Sequence, residues 1–159
     1  MKLRKFSDYA DYWLSFRTQT GEFSPNTLKT DYKYVKKLKI LFPNKNLTDL
    51  TPQLIRDALA NAKKENNKKE PLAGTSKNHM YFTLNQILKM ALDDDLIPKN
   101  PCDKVKPPKK DTLKKKALNK KELNKLFNAL ESEPMDGRII FIYLMVLLGL
   151  RRGEAIALQ

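Results

Sequence analysis

The sequence predicts an all-α protein, and three observations carry that prediction. Apolar residues recur at three- and four-residue spacing in successive segments, and no segment shows convincing strand-like alternation. Helix start signals stand in front of several of those segments: Ser24-Pro25, Thr51-Pro52, and Asn119 with Glu122 three residues on. Pro43, the polar stretch Asn66 to Pro71 and the turn Pro98 to Pro101 then separate them by short connections, the pattern of a small helical bundle.

The first helix is expected from about Ser7, with Phe6, Tyr9, Trp13 and Phe16 as a core stripe. The second starts at Ser24-Pro25 and ends before Pro43, with Leu28, Tyr32, Val35 and Leu38 facing inward. Thr51-Pro52 opens a third helix, expected to reach about Lys64, that buries Leu54, Ile55, Ala58 and Leu59. After the polar loop, Gly74-Thr75-Ser76 opens a long fourth helix to about Asp95, with Met80, Leu84, Ile87, Leu88 and Ala91 inside. A fifth helix begins at the Asn119/Glu122 capping box and presents Leu123, Leu126, Phe127 and Leu130. The sixth, Ile139 to Leu148, is apolar on all sides and belongs in the middle of a domain. A further amphipathic helix is starting at Arg151 where the sequence stops, so the chain is expected to be part of a larger protein.

Charge divides the chain into three. Residues 1–103 carry 18 basic and 12 acidic residues, residues 104–118 carry 7 and 1, and residues 119–159 carry 6 and 5. The middle stretch, with Pro107-Pro108 and its lysines, is expected to be an extended linker, because proline denies it a helix and like charges repel. The expected domains are therefore 1–103, a linker over 104–118, and an incomplete unit over 119–159. A net charge of +13 and a pI near 9.7 point to a polyanionic partner, most simply nucleic acid. Ile139 to Leu150 is shorter than the roughly 20 residues a membrane span needs, and no apolar stretch follows Met1 to Lys5 as in a secretory signal. One cysteine, Cys102, and one histidine, His79, exclude a disulfide framework and a Cys/His zinc site within this chain. A reducing cytoplasm is the expected compartment.

The best DNA-facing candidate is the second helix, where Lys29, Lys33, Lys36 and Lys37 share one side; a solvated lysine face is the alternative reading. At the start of the fourth helix Thr75, Ser76 and Lys77 can donate to a phosphate, aided by free backbone N–H groups, although such an end is more often just a capped terminus. Linker lysines Lys106, Lys109, Lys110, Lys114 and Lys115 would extend these into one basic surface.

Several segments, taken in order, resemble the tyrosine recombinases of the phage integrase type. They are Phe6 to Ala10 with Tyr12-Trp13-Leu14, the Ser24 to Thr27 helix start, Ala91-Leu92-Asp93, and Ile97 to Pro101. Residues 1–103 resemble that family's SAM-like core-binding domain. Ala117 to Leu123 is similar to the first helix of its catalytic domain, and Gly149 to Glu154 is similar to the segment bearing its first catalytic arginine.

The resemblance implies site-specific strand exchange on double-stranded DNA. A tyrosine attacks a phosphodiester to give a 3′-phosphotyrosyl link, arginines hold the non-bridging oxygens, and a general acid protonates the 5′-oxygen. The bond energy stays in the covalent link, so neither ATP, metal nor other cofactor is implied, and partner protomers would assemble as a tetramer on DNA. Arg151 carries over as the catalytic arginine, with Glu154 as its orienting partner; Arg152 lies one place off the pattern. All six tyrosines precede Arg151 and none matches the nucleophile, so this polypeptide is expected to bind DNA without cleaving it. The alternative is a standalone, non-catalytic DNA-binding remnant of a recombinase; a basic helical RNA-binding protein is a third reading, with no supporting module.

Overall fold

A computed structural model describes residues 4–63, 70–111 and 116–158. The all-α expectation is met: the described residues form seven α-helices, two short 3-10 turns and two isolated β-bridges, with no strand. They are α1 (Phe6–Gln19), α2 (Pro25–Leu41), α3 (Pro52–Ala60), α4 (Gly74–Asp93), α5 (Lys120–Glu131), α6 (Gly137–Leu148) and α7 (Arg152–Ile156). The chain divides into two compact units, Met1–Leu113 and Lys114–Gln159.

In the first unit α1 does not begin at Ser7, whose hydroxyl bonds to Asp8 Oδ1 instead. Lys5 is the N-cap, and the chain there is fixed by a short antiparallel pairing: the Phe6 N–H donates to Lys45 O at 2.9 Å, and the Leu47 N–H to Arg4 O at 2.8 Å. A neighbouring segment thus supplies the acceptor that a capping hydroxyl would otherwise provide. Phe6, Tyr9 and Trp13 are core, whereas Phe16, expected inside, is 47 % exposed. At this end of α1 the covered place goes to Arg17, whose guanidinium lies 4.8 Å from the Trp13 ring centroid and 3.5 Å from that of Phe23.

Helix α2 starts as expected, with Ser24 Oγ accepting from the Thr27 N–H and Pro25 in its first turn. Its inner face is Asp31, Tyr34, Val35 and Leu38; Tyr32 is 64 % exposed and its expected place belongs to Tyr34. At about 100° per residue the buried arc centres on Asp31 and Leu38, which puts Tyr32 on its outer margin. The arc turns that way because Asp31 goes inside to meet Arg17: Nε and Nη2 both reach Asp31 Oδ2 at 3.0 Å.

Thr51 Oγ1 caps α3 through the Leu54 N–H, and Ile55 and Leu59 are buried with Leu54 and Ala58 half-buried beside them. The helix stops at Ala60, well before the expected Lys64, which lies outside the described residues. Helix α4 is the central element, and Met80, Leu84, Ile87, Leu88 and Ala91 are all buried as its spacing requires. It packs on α1, α2 and α3. It ends at Asp93; Asp95 takes φ 56°, and the Leu96 N–H returns to Ala91 O at 2.9 Å, a left-handed helix stop. Tyr9 donates its hydroxyl to Asp94 Oδ2 at 2.6 Å, tying α1 to that end. The core continues through Ile97, Cys102 and Val105, so the start of the basic connector is packed rather than free. Among the described residues no buried side-chain nitrogen or oxygen lacks a hydrogen-bond partner.

In the second unit the α5 capping box is closed both ways: Asn119 N–H to Glu122 Oε2 at 2.8 Å, and Glu122 N–H to Asn119 Oδ1 at 3.0 Å. Asp136 caps α6 by accepting from the N–H groups of Arg138 and Ile139, and Gly149, at φ 65°, ends it. Phe127 and Tyr143 stack with centroids 5.7 Å apart. Within α6 only Ile139 is buried, and Leu147 and Leu148 stand about two-thirds exposed. No helix among the described residues is long and apolar enough to cross a membrane.

Candidate nucleic-acid interface

The lysine side of α2 is built by the same rotation that sends Asp31 inward. Lys29, Lys33 and Lys36 are exposed and Lys37 is half-buried. On helical geometry the four span roughly 100° of arc, centred about opposite the Asp31/Leu38 line. No carboxylate pairs with any of them among the described residues, whereas Lys39, on another side of the helix, is engaged by Asp11 at 2.6 Å. Lys33 also lies 5.5 Å from the Tyr34 ring, whose other partner is His79 of α4, stacked with centroids 5.4 Å apart. The rings lock α2 to α4 beside the lysine stripe.

At the start of α4 one expectation needs correction. The Gly74 N–H is not free for a ligand, because the Asp111 carboxylate accepts from it. The connector therefore caps α4 in place of Ala73, whose side chain cannot. The approach is so close that a Cβ on Gly74 would collide with the Lys109 carbonyl oxygen and come within 2.8 Å of Asp111 Oδ1. Thr75 and Ser76 are half-buried, and the Lys77 ammonium donates to Ala60 O at 2.6 Å, closing the C-terminal end of α3. Asn78 Nδ2 holds Pro108 O at 2.8 Å, so the connector from Val105 to Asp111 runs along α4 with Lys106, Lys109 and Lys110 exposed. Lys114 and Lys115 lie outside the described residues.

Sequence reasoning missed Arg56. It projects from α3, with Nη1 donating to Lys104 O at 3.2 Å and Nη2 to Gln53 Oε1 at 2.7 Å. Arg56, Lys77, Lys106 and Lys109 line one cleft of about 350 Å³, closed by Leu59, Val105 and Pro108. No α2 residue lines it. One arginine between apolar helix positions carries no sequence signal that the connector will fold back over it.

In the second unit Arg151 is the N-cap of α7. Glu154 accepts from the Arg151 backbone N–H at 2.9 Å through Oε2 and from Nη1 at 3.0 Å through Oε1. The carboxylate thus holds backbone and guanidinium together, while the side chain of Arg151 remains 87 % exposed. Such a guanidinium keeps most of its N–H donors open to an anion. Among the described residues no group of three or more His, Cys, Asp or Glu side chains is arranged to hold a metal ion.

Residues 5–107 match the family model described as the phage integrase SAM-like domain. No curated protein sequence matches the chain. Among solved structures, a lambda integrase dimer bound to a COC′ core site superposes with a TM-score of 0.75 at 20 % identity, covering 92 % of this chain and 39 % of that one. A solution NMR structure of a fragment, residues 61–160, from Clostridium leptum gives a TM-score of 0.55 at 24 % identity, covering 72 % of this chain and 96 % of that one.

Proposed function

The chain belongs to the phage integrase SAM-like domain family, and on that premise we propose that it is the core-site DNA-binding part of a site-specific tyrosine recombinase. The α1–α4 bundle binds duplex DNA, and residues 119–159 form the opening of a catalytic domain. The observation that carries the reading is the unpaired lysine stripe on α2, set opposite the helix's buried face. A helix with one apolar side and one cationic side is shaped to lie against a polyanion while its other side stays in the core. Support comes from the lambda integrase structure, a dimer on DNA with the same fold. In the same reading the connector lysines cross the phosphate backbone, and protomers of the whole recombinase meet on the DNA.

Arg151 in this proposal is the arginine that steadies a scissile phosphodiester. Its planar fork binds two non-bridging oxygens and stabilises the charge that grows as the tyrosine nucleophile of the whole recombinase attacks. Glu154 fixes the direction of that fork through the two hydrogen bonds above. Strand exchange and the 3′-phosphotyrosyl intermediate belong to the whole protein, of which this chain supplies the DNA clamp and the first arginine.

Fluorescence anisotropy with duplex DNA across a salt series tests the binding. If six to eight lysines neutralise phosphates, log K falls with log salt at a slope of roughly −5 to −7. A slope near −1 removes the lysine surface from consideration.

A further inference from the structure

We propose that the cleft between the end of α3, the start of α4 and the connector is a seat for one nucleic-acid backbone phosphodiester, gripped by Arg56. This deepens the DNA-binding reading and rests on it.

Three observations converge on an anion. The cleft brings four cationic side chains together, Arg56, Lys77, Lys106 and Lys109, which repel one another unless a negative group sits among them. Among the described residues, Arg56 and Lys77 are bonded to neutral oxygens, those of Lys104, Gln53 and Ala60, and Lys106 and Lys109 are exposed with no acidic partner. Two acids are committed elsewhere: Asp57, next to Arg56 on α3, accepts the Gln53 amide at 2.9 and 3.0 Å, and Asp111 accepts the Gly74 N–H.

The geometry selects a phosphodiester. Arg56 is positioned before any ligand arrives, because two hydrogen bonds already fix its side chain, and ordering it costs little more on binding. The remaining N–H groups of its fork suit the two non-bridging oxygens of a phosphate, while the lysines add charge without direction. A cleft of about 350 Å³ takes a phosphate with its flanking sugar and leaves the bases outside. The contact is therefore independent of base sequence and fixes register on the duplex. Asp111, at the Gly74 margin, is a carboxylate that would oppose it.

The test uses the full 159-residue chain and a duplex of about 30 base pairs, read by anisotropy. Arg56→Gln is expected to weaken binding about tenfold at low salt and to make the salt slope shallower by about 0.9, one phosphate's worth. Arg56→Lys restores the slope but only part of the affinity, since an ammonium cannot grip two oxygens. A scan of duplexes carrying one neutral methylphosphonate each is expected to show one position that weakens the wild type and leaves Arg56→Gln unaffected. If a Lys33→Gln/Lys36→Gln variant loses affinity while Arg56→Gln matches wild type at every position, the phosphate seat is overturned and the DNA reading stands. If the wild type shows no salt-dependent binding at all, the DNA reading fails and takes the seat with it. A uniform loss at every methylphosphonate position, with a lowered melting temperature, makes Arg56 structural and overturns the seat. Arg56-dependent binding to phosphatidylserine vesicles, with DNA binding unchanged, overturns it in favour of a lipid phosphate.

Discussion

Replacing Asp31 by alanine should cost the α1–α4 bundle more than any other single charge change. Both partners are mostly covered, with Arg17 and Asp31 side chains 14 % and 12 % exposed, and two guanidinium nitrogens reach one carboxylate oxygen at 3.0 Å. Removing one member of a fully buried pair costs about 3 to 5 kcal/mol, because the other charge is left without compensation. Here the guanidinium keeps its places near Phe23 and Trp13 and retains some contact with water, so the cost drops to about 2 to 3 kcal/mol. For a unit of this size each kcal/mol lowers the melting temperature by about 4 to 8 °C, which gives a fall of roughly 10 to 20 °C. Circular dichroism at 222 nm reads it directly. Arg17→Met with Asp31→Leu removes both charges and should recover most of the loss, since no orphan ion remains. An Asp31→Ala protein that melts within a few degrees of wild type refutes the idea that this pair sets the rotation of α2.

Two further outcomes follow from single sites. Cys102 is fully buried, and burial first, then the neighbouring Asp103, pushes its thiol up to about 12, so at pH 8 the folded protein should not react with Ellman's reagent on the timescale of mixing; stoichiometric reaction within seconds contradicts that burial. Gly74→Ala forces a methyl group against the Lys109 carbonyl and Asp111, so the connector should lift from α4 and trypsin should cut at Lys109 and Lys110 several-fold faster, without a matching change in the helical signal; unchanged cleavage refutes the close approach.

Much of the bundle was legible in the residues because local chemistry decides it. Ser24-Pro25, Thr51-Pro52 and Asn119/Glu122 are each self-sufficient start signals, and all three open helices where expected. The inward face of α4 was readable because a central helix buried along its length leaves no choice of side. What the sequence concealed depends on distant partners. Whether Tyr32 or Tyr34 goes inside is settled by Arg17 drawing Asp31 into the core, a contact across 14 residues. The cap on α4 comes from Asp111, 37 residues away, and the lysine-rich stretch that reads as a free linker is held by Asn78. Arg56 acquires its setting from the same fold-back, and so was invisible to any local pattern. The Arg151/Glu154 pairing lay at the other extreme, since three residues of helix spacing suffice to bring the two together.

The bond from Tyr9 to Asp94 joins residues 85 apart, so this tie between α1 and the end of α4 has to wait until α4 has been made. At about 5 to 20 residues per second, α1 waits several seconds to a quarter of a minute for α4 to follow. Phe6 already meets Phe42 edge-on and Trp13 meets Arg17, but Tyr9 is without its acceptor until Asp94 arrives. Shortening the unit from the α4 side removes that acceptor and the central helix on which α1, α2 and α3 pack, and should leave a sticky peptide instead of a smaller folded domain.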